Sequence, residues 1–158
     1  MDKSVQDFYG NRIRTRVCGL CWKGDTLLMV NHRGLYAHDF WAPPGGGLDF
    51  AGTAQMSLER EFREETGLMV RSGQFRFVCE FIQPPLHAIE LFFEVSAMGG
   101  KLLTGTDPEM GKNEQIIKEV KYLSEKEIVN IPEGHKHGLF KLAKSFENIR
   151  TLNGYLKI

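Results

Sequence analysis

The stretch from Gly45 to Leu68, GGGLDFAGTAQMSLEREFREETGL, constrains this chain most. Three consecutive glycines after Pro43-Pro44 let the backbone turn sharply and come close to another group. Thr53 has the chemistry of an N-cap and Gly67 that of a C′ residue, so the segment between them reads as a helix bounded at both ends. Ala54, Leu58 and Phe62 form its apolar stripe. At about 100° per residue, Glu61, Glu64 and Glu65 fall within an arc of roughly 100° that overlaps this stripe. Charge-rich helices are mostly solvated faces. Carboxylates at the edge of a buried face, however, repel one another and lose hydration, and something positive must offset that. Arg60 precedes Glu61 and stands four residues before Glu64, where it can brace the carboxylates. A hard divalent cation, Mg²⁺ or Mn²⁺, suits the clustered oxygens.

This segment resembles the Nudix box, G-x5-E-x7-R-E-U-x-E-E-x-G-U, with U a bulky apolar residue. Gly46 matches the first glycine, and Arg60, Glu61, Glu64, Glu65, Gly67 and Leu68 match their positions in order. Phe62 stands where an aliphatic residue is usual, and Gly52 stands where the first glutamate is usual. The resemblance implies an α/β/α sandwich with a mixed sheet and a central catalytic loop-helix. It also implies divalent-metal-dependent hydrolysis of a nucleoside diphosphate linked to another moiety, such as ADP-ribose or an ADP- or GDP-sugar. The implied metal ligands are Glu61, Glu64, Glu65 and Gly46, with Glu61 and Glu64 in the chemistry and Arg60 fixing a glutamate. Gly46 and Gly47 would shape a loop against the substrate. Members often recruit a further acid beyond the box: Glu114 is the candidate supporting ligand or base, with Glu109 and Glu119 as rivals. The glycine at position 52 implies reduced or altered metal use, with Asp49 or Glu59 as substitutes. Two other readings stay open, a mutator-type nucleoside triphosphate pyrophosphohydrolase and a nucleotide-binding sensor domain with impaired catalysis.

The rest of the chain sets bounds. Its 158 residues suit one domain, 1–158, with a single core. With 20 basic and 20 acidic side chains the net charge is zero, which gives no support for bulk binding to nucleic acid or membranes. Met1 to Gly10 has no apolar core of signal-peptide type, and no run nears the about 18 apolar residues of a membrane span, so a cytoplasmic protein is expected. Cys18 and Cys21 sit on an expected strand, where residues three apart point to opposite faces, so structural cysteines are favoured over a metal or redox pair.

Alternation and apolar runs predict strands over 12–22, Thr26 to Val30, 74–82, 88–96 and Ile116 to Leu123, with Lys101 to Leu103 as a further extended segment. Lys23-Gly24-Asp25 reads as a hairpin turn, and Ser124-Glu125-Lys126-Glu127 as a capping box. Leu139, Leu142, Ala143, Phe146 and Ile149 predict one helix from about His137 to Ile149.

Substrate signals are weaker. Pro84 falls 16 residues after Leu68, a position that in similar proteins goes with ADP-ribose pyrophosphatases, although a Pro-Pro pair is also simply a rigid turn. Trp41, Phe50 and Phe81 are either base-stacking groups or core. Arg12, Arg14 and Arg16 share a strand face that meets substrate phosphate, a dimer partner or solvent; a homodimer is common in similar proteins. His135, Lys136, His137 and His87 read as solvated or capping groups.

Overall fold

The second half of the first strand is buried without a break from Val17 to Cys21, and a strand buried on both faces needs a layer on each side of its sheet. The computed structural model, which describes Asp7 and residues 9–33, 38–106 and 116–158, has that arrangement. Its strands are β1 (Arg12–Lys23), β2 (Thr26–His32), β3 (Phe40–Ala42), β4 (Gly45–Gly47), β5 (Leu68–Gln83), β6 (Leu86–Gly100), β7 (Ile117–Ser124) and β8 (Gly154–Lys157). Helix α1 (Ala54–Thr66) joins β4 to β5, and the short helices α2 (Glu125–Asn130), α3 (Leu139–Leu142) and α4 (Phe146–Thr151) follow β7. The strands run in the order β3-β2-β1-β6-β5-β8, with β4 on β1 and β7 on β2. β1 is parallel to β6 and β5 to β8, while the other pairs are antiparallel, so the sheet is mixed.

Alternation along β1 sorts the core into two layers. Val17 and Cys21 face α1 and pack with Leu58, Phe62, Phe93 and Val95. Cys18 and Leu20 face the other way, toward Phe92, Leu139, Phe140 and Ile149. The two cysteines of the C-x-x-C spacing thus lie in different layers, and Cys18, Cys21 and Cys79 are all free and buried. Gly19 lets the box helix close on the sheet, because a Cβ there would lie 2.4 Å from Cε2 of Phe62. Among the described residues, no helix is long and apolar enough to cross a membrane.

Local expectations fail where tertiary contacts or a cap decide. The single helix over His137 to Ile149 is two: α3 ends at Ala143, in extended conformation, and the Ser145 side chain accepts from Asn148 N at 3.1 Å to cap α4. A serine that bonds nearby backbone outcompetes helix continuation, while Leu139, Ala143 and Ile149 stay buried on either side. Lys101 to Leu103 forms no strand. Instead Leu103 N, Gly105 N and Thr106 N donate to the carbonyls of Thr66, Glu65 and Glu64, closing the C-terminal end of α1. Gly105 permits this approach, since a Cβ would fall 1.8 Å from Glu64 O. β5 and β6 are longer than expected, and β8 adds an edge strand of four residues with no alternating signal of its own. The hairpin turn and the Ser124–Glu127 capping box are as read.

Phe62 fills the space between α1 and Gly19, so Phe62→Ala is expected to destabilise the protein by about 3–5 kcal/mol through the cavity it leaves. Urea unfolding checks this as a lower midpoint at unchanged slope.

Candidate active site

The phase of α1 is set at its ends. Thr53 Oγ1 accepts from Met56 N at 3.1 Å, and Gly67, at φ +72°, donates its N–H to Arg63 O. With Leu58 and Phe62 in the core, Glu61 and Glu65, one turn apart, emerge at the helix edge and line a cleft of about 410 Å³. They do so past β4, which pairs with β1 through Arg16↔Gly47, Val17↔Gly46 and Cys18↔Gly45. A Cβ on Gly46 would lie 2.2 Å from the Glu61 carboxyl, and one on Gly45, at φ +155°, would lie 2.0 Å from Val17 O. The glycine run expected to shape a loop is therefore a short strand. Glycines are poor strand formers, but the gap between β1 and the carboxylates holds only bare backbone. Gly45, Gly46 and Gly47 all line the cleft.

Arg60 is the hub on the solvent side. It donates Nη2 to Glu61 Oε1 at 2.9 Å, Nη1 to Glu64 Oε2 at 2.7 Å and Nε to Asp49 Oδ2 at 2.8 Å. Burial, and then the neighbouring Glu65 charge, push the Glu61 carboxyl up to about 7 despite Arg60. Glu64 is spent on Arg60 and is absent from the cleft lining. Of the two substitutes for the glutamate missing at position 52, Asp49 joins this network, whereas Glu59 turns away to accept from Ser72 N and Oγ at 3.0 and 3.2 Å. A Cβ on Gly52 would meet only ordinary contacts, Asp49 Cβ at 3.5 Å and Ser57 Oγ at 3.6 Å.

On the cleft side, Glu65 Oε2 accepts from Gly45 N at 2.9 Å, and His32 Nε2 stands 3.7 Å from Glu65 Oε1. Arg16 donates Nη2 to Gly45 O at 3.1 Å and Nη1 to Glu90 Oε1 at 3.3 Å, and His137 Nε2 lies 2.6 Å from Glu90 Oε2. Burial acts to raise the Glu90 carboxyl, but His137 and Arg16 outweigh it and bring it down to about 2. His137 is buried, which corrects the solvated reading; the capping reading survives, because Leu139 N donates to His137 Nδ1 at 3.1 Å. Lys136 also caps, donating Nζ to Ile128 O and Val129 O at the end of α2. His32 and Glu90 were not evident from the sequence. The one signal for Glu90 is parity, since it shares a strand face with Ala88 and the core residue Phe92.

Other candidates separate. Glu109 and Glu114 lie outside the described residues; Thr106, on one side, donates its N–H to Glu64 O at 3.1 Å, and Ile116, on the other, lines the cleft. Glu119 is on β7, 3.2 Å from Lys121 and away from the cleft. Pro84 is exposed in the β5–β6 turn, between the cleft-lining Gln83 and Leu86. Arg14 and Arg16 line the cleft and Arg12 does not. Phe81 lines it too, whereas Trp41 packs on the core and Phe50 is fully exposed.

Among the described residues, no three His, Cys, Asp or Glu side chains are grouped as a ready metal site. Glu61 and Glu65 nevertheless present two buried carboxylates against the bare backbone of Gly46. One or two carboxylates, completed by water and substrate phosphate, is the donor set that Mg²⁺ takes, so the residues fit such an ion.

The NUDIX domain model matches residues 11–145. An ADP-ribose pyrophosphatase of Methanocaldococcus jannaschii is 29% identical over 93 residues, covering 58% of this chain and 55% of that protein. The chain thus matches about half the length of this curated relative. Among solved structures, a UDP-X diphosphatase superposes with a TM-score of 0.66 at 17% identity, over 92% of this chain and 67% of the other. An ADP-ribose pyrophosphatase from Streptococcus suis gives 0.62 at 16% identity, over 90% and 98%. A MutT NUDIX hydrolase from Burkholderia pseudomallei gives 0.64 at 14%, over 90% and 99%. At these identities the solved structures show a shared fold.

The Glu61 carboxyl is raised from an ordinary 4.5 to about 7 in the fold. Its contribution to stability is therefore full below about pH 4.5 and is lost as pH rises through 7. Metal-free Glu61→Gln is expected to exceed metal-free wild type in stability at pH 8 by roughly 1–3 kcal/mol, an advantage that fades toward pH 4.5. Thermal melts in chelator across that range check it, and equal melting temperatures at pH 8 would contradict it.

Proposed function

Since the chain belongs to the NUDIX family, we propose that it is a divalent-metal-dependent pyrophosphohydrolase that cleaves a nucleoside diphosphate linked to another moiety. The observation that carries this is the pair of buried carboxylates, Glu61 and Glu65, facing a cleft through a strand without side chains. A diphosphate resists attack because its oxygens already carry charge. When bound, Mg²⁺ or Mn²⁺ would neutralise that charge and acidify water. Glu61, Glu65 and the Gly46 backbone would hold the ion, with Glu64 in support.

The chain's own residues supply the rest. Arg60 keeps Glu61 and Glu64 in register through charge-assisted hydrogen bonds. Without metal the Glu61 carboxyl is held up to about 7 by burial and by Glu65, so a bound cation would favour its charged form. Arg14 puts positive charge on the cleft wall where an anion enters, while Arg16, on the same wall, is engaged by Glu90 and by the Gly45 carbonyl. Phe81 offers a stacking surface, and Pro84 holds the rim between Gln83 and Leu86. The ADP-ribose pyrophosphatase relative makes ADP-ribose the first substrate to test, followed by other nucleoside diphosphate sugars. Glu114 remains the proposed supporting base. The protein is read as one domain over 1–158, and as cytoplasmic.

A panel of ADP-ribose, nucleotide sugars, dinucleoside polyphosphates and oxidised deoxynucleoside triphosphates, run with Mg²⁺ and with Mn²⁺, tests this. Cleavage confined to triphosphates would favour the mutator-type reading. No turnover on any member, with nucleotide binding retained, would mark a sensor domain. On the best substrate, Glu61→Gln is expected to lower turnover at least about a hundredfold while the fold persists; near-normal turnover would refute the role. A Cβ at position 52 meets only ordinary contacts, and Gly52→Glu is expected to tighten Mg²⁺ dependence severalfold, read as a lower Mg²⁺ concentration at half-maximal rate. An unchanged value would mean that Asp49 already fills the role.

A further inference from the structure

The carboxylate that lines the metal side of the cleft is connected to residues far outside the box. Glu65 Oε2 takes the N–H of Gly45 at 2.9 Å, and the carbonyl of the same residue takes Arg16 Nη2 at 3.1 Å. Arg16 Nη1 meets Glu90 Oε1 at 3.3 Å, and Glu90 Oε2 meets His137 Nε2 at 2.6 Å. The links join α1, β4, β1, β6 and the segment before α3 in series. The last group is oriented: Leu139 N donates to His137 Nδ1, so Nδ1 is the acceptor, and Nε2 carries the proton that it donates to Glu90. The backbone of His137 is held as well, with its N–H on Trp41 O at 2.8 Å.

We infer that Arg16, Glu90 and His137 form a positioning chain that fixes the Gly45 peptide and, through it, the Glu65 carboxylate. Three facts favour this over a purely architectural ion pair. Glu90 and His137 are buried, and a buried carboxylate held by Arg16 is poor value as stability alone, because apolar packing does the same without desolvation. Gly45 sits at φ +155° with no room for a Cβ, so its only handles are its N–H and C=O, and the chain takes both. Each Glu90 oxygen has one donor and the two Arg16 nitrogens point to different acceptors, so the guanidinium acts as a bridge that a single ammonium cannot replace. None of the three is expected to touch the reacting phosphate through this chain.

The inference rests on the hydrolase reading for its kinetic arm and has a separate binding arm. Wild type, Glu90→Gln and Arg16→Lys would be titrated with Mn²⁺ alone, followed by electron paramagnetic resonance, then assayed on the best panel substrate. Glu90→Gln keeps the shape of the side chain, but its amide sets a donor against a donor. Arg16→Lys keeps the charge and breaks the bridge. Both are expected to bind Mn²⁺ about 10-fold more weakly and to lose about 10- to 100-fold in kcat, with KM within about threefold, as removal of an outer support of a metal ligand does. Glu59→Gln, on the same helix but turned toward Ser72, should leave Mn²⁺ affinity unchanged. Wild-type Mn²⁺ affinity in both folded variants overturns the inference, even if their melting temperatures fall. If every variant fails to fold, the chain is architectural and the inference is also overturned. If wild type binds Mn²⁺ but cleaves nothing in the panel, the hydrolase reading fails and the Mn²⁺ arm still decides.

Discussion

The closeness of β4 to both β1 and α1 governs this molecule. Gly46 stands where a single added carbon would meet the Glu61 carboxyl at 2.2 Å, and Gly45 where it would meet Val17 O at 2.0 Å. Because the strand has no side chains, a helix packed on one face of the sheet can present carboxylates to a cleft floored by the opposite face. The parity of β1 shows the two faces: Val17 and Cys21 pack toward α1, while Arg14, Arg16 and Cys18 line the cleft. Gly19 and Gly105 serve the same end, the first admitting the Phe62 ring and the second admitting the last carbonyls of α1.

Bringing carboxylates together this way is costly, and the compensation is divided. On the outer side Arg60 binds Asp49, Glu61 and Glu64 at 2.7–2.9 Å. On the inner side Glu65 is met by a backbone N–H and by His32. The compensation is incomplete at Glu61, whose carboxyl stays near 7, and an incompletely balanced buried acid is where a cation gains most. The inner side is also where Arg16 and Glu90 neutralise each other, so the cleft gains fixed dipoles without gaining net charge.

Much of this was legible along the chain. Thr53, Gly67 and the stripe of Leu58 and Phe62 set the length and phase of α1, which places Glu61 and Glu65 on its edge wherever the helix docks. The capping box at Ser124 and the opposed faces of Cys18 and Cys21 follow from equally local rules. Residues whose role is made by a partner were not legible. Glu90 is one of two acids in an otherwise largely apolar strand until Arg16, 74 positions away, and His137, 47 positions away, meet its two oxygens. The glycine strand reads as a loop because its strand character comes from β1, and the helix over 137–149 breaks at Ser145 because a local cap competes with the apolar period.

The sequence by itself determined the helix, its caps, its apolar face and the spacing of its glutamates, because each depends on contacts within a few residues. Only the tertiary structure decided which glutamates face the cleft, that Asp49 and not Glu59 joins Arg60, and that His137 is buried against Glu90. Those outcomes depend on how far a strand without side chains lets β1 and α1 approach, and that distance is a property of the packed sheet.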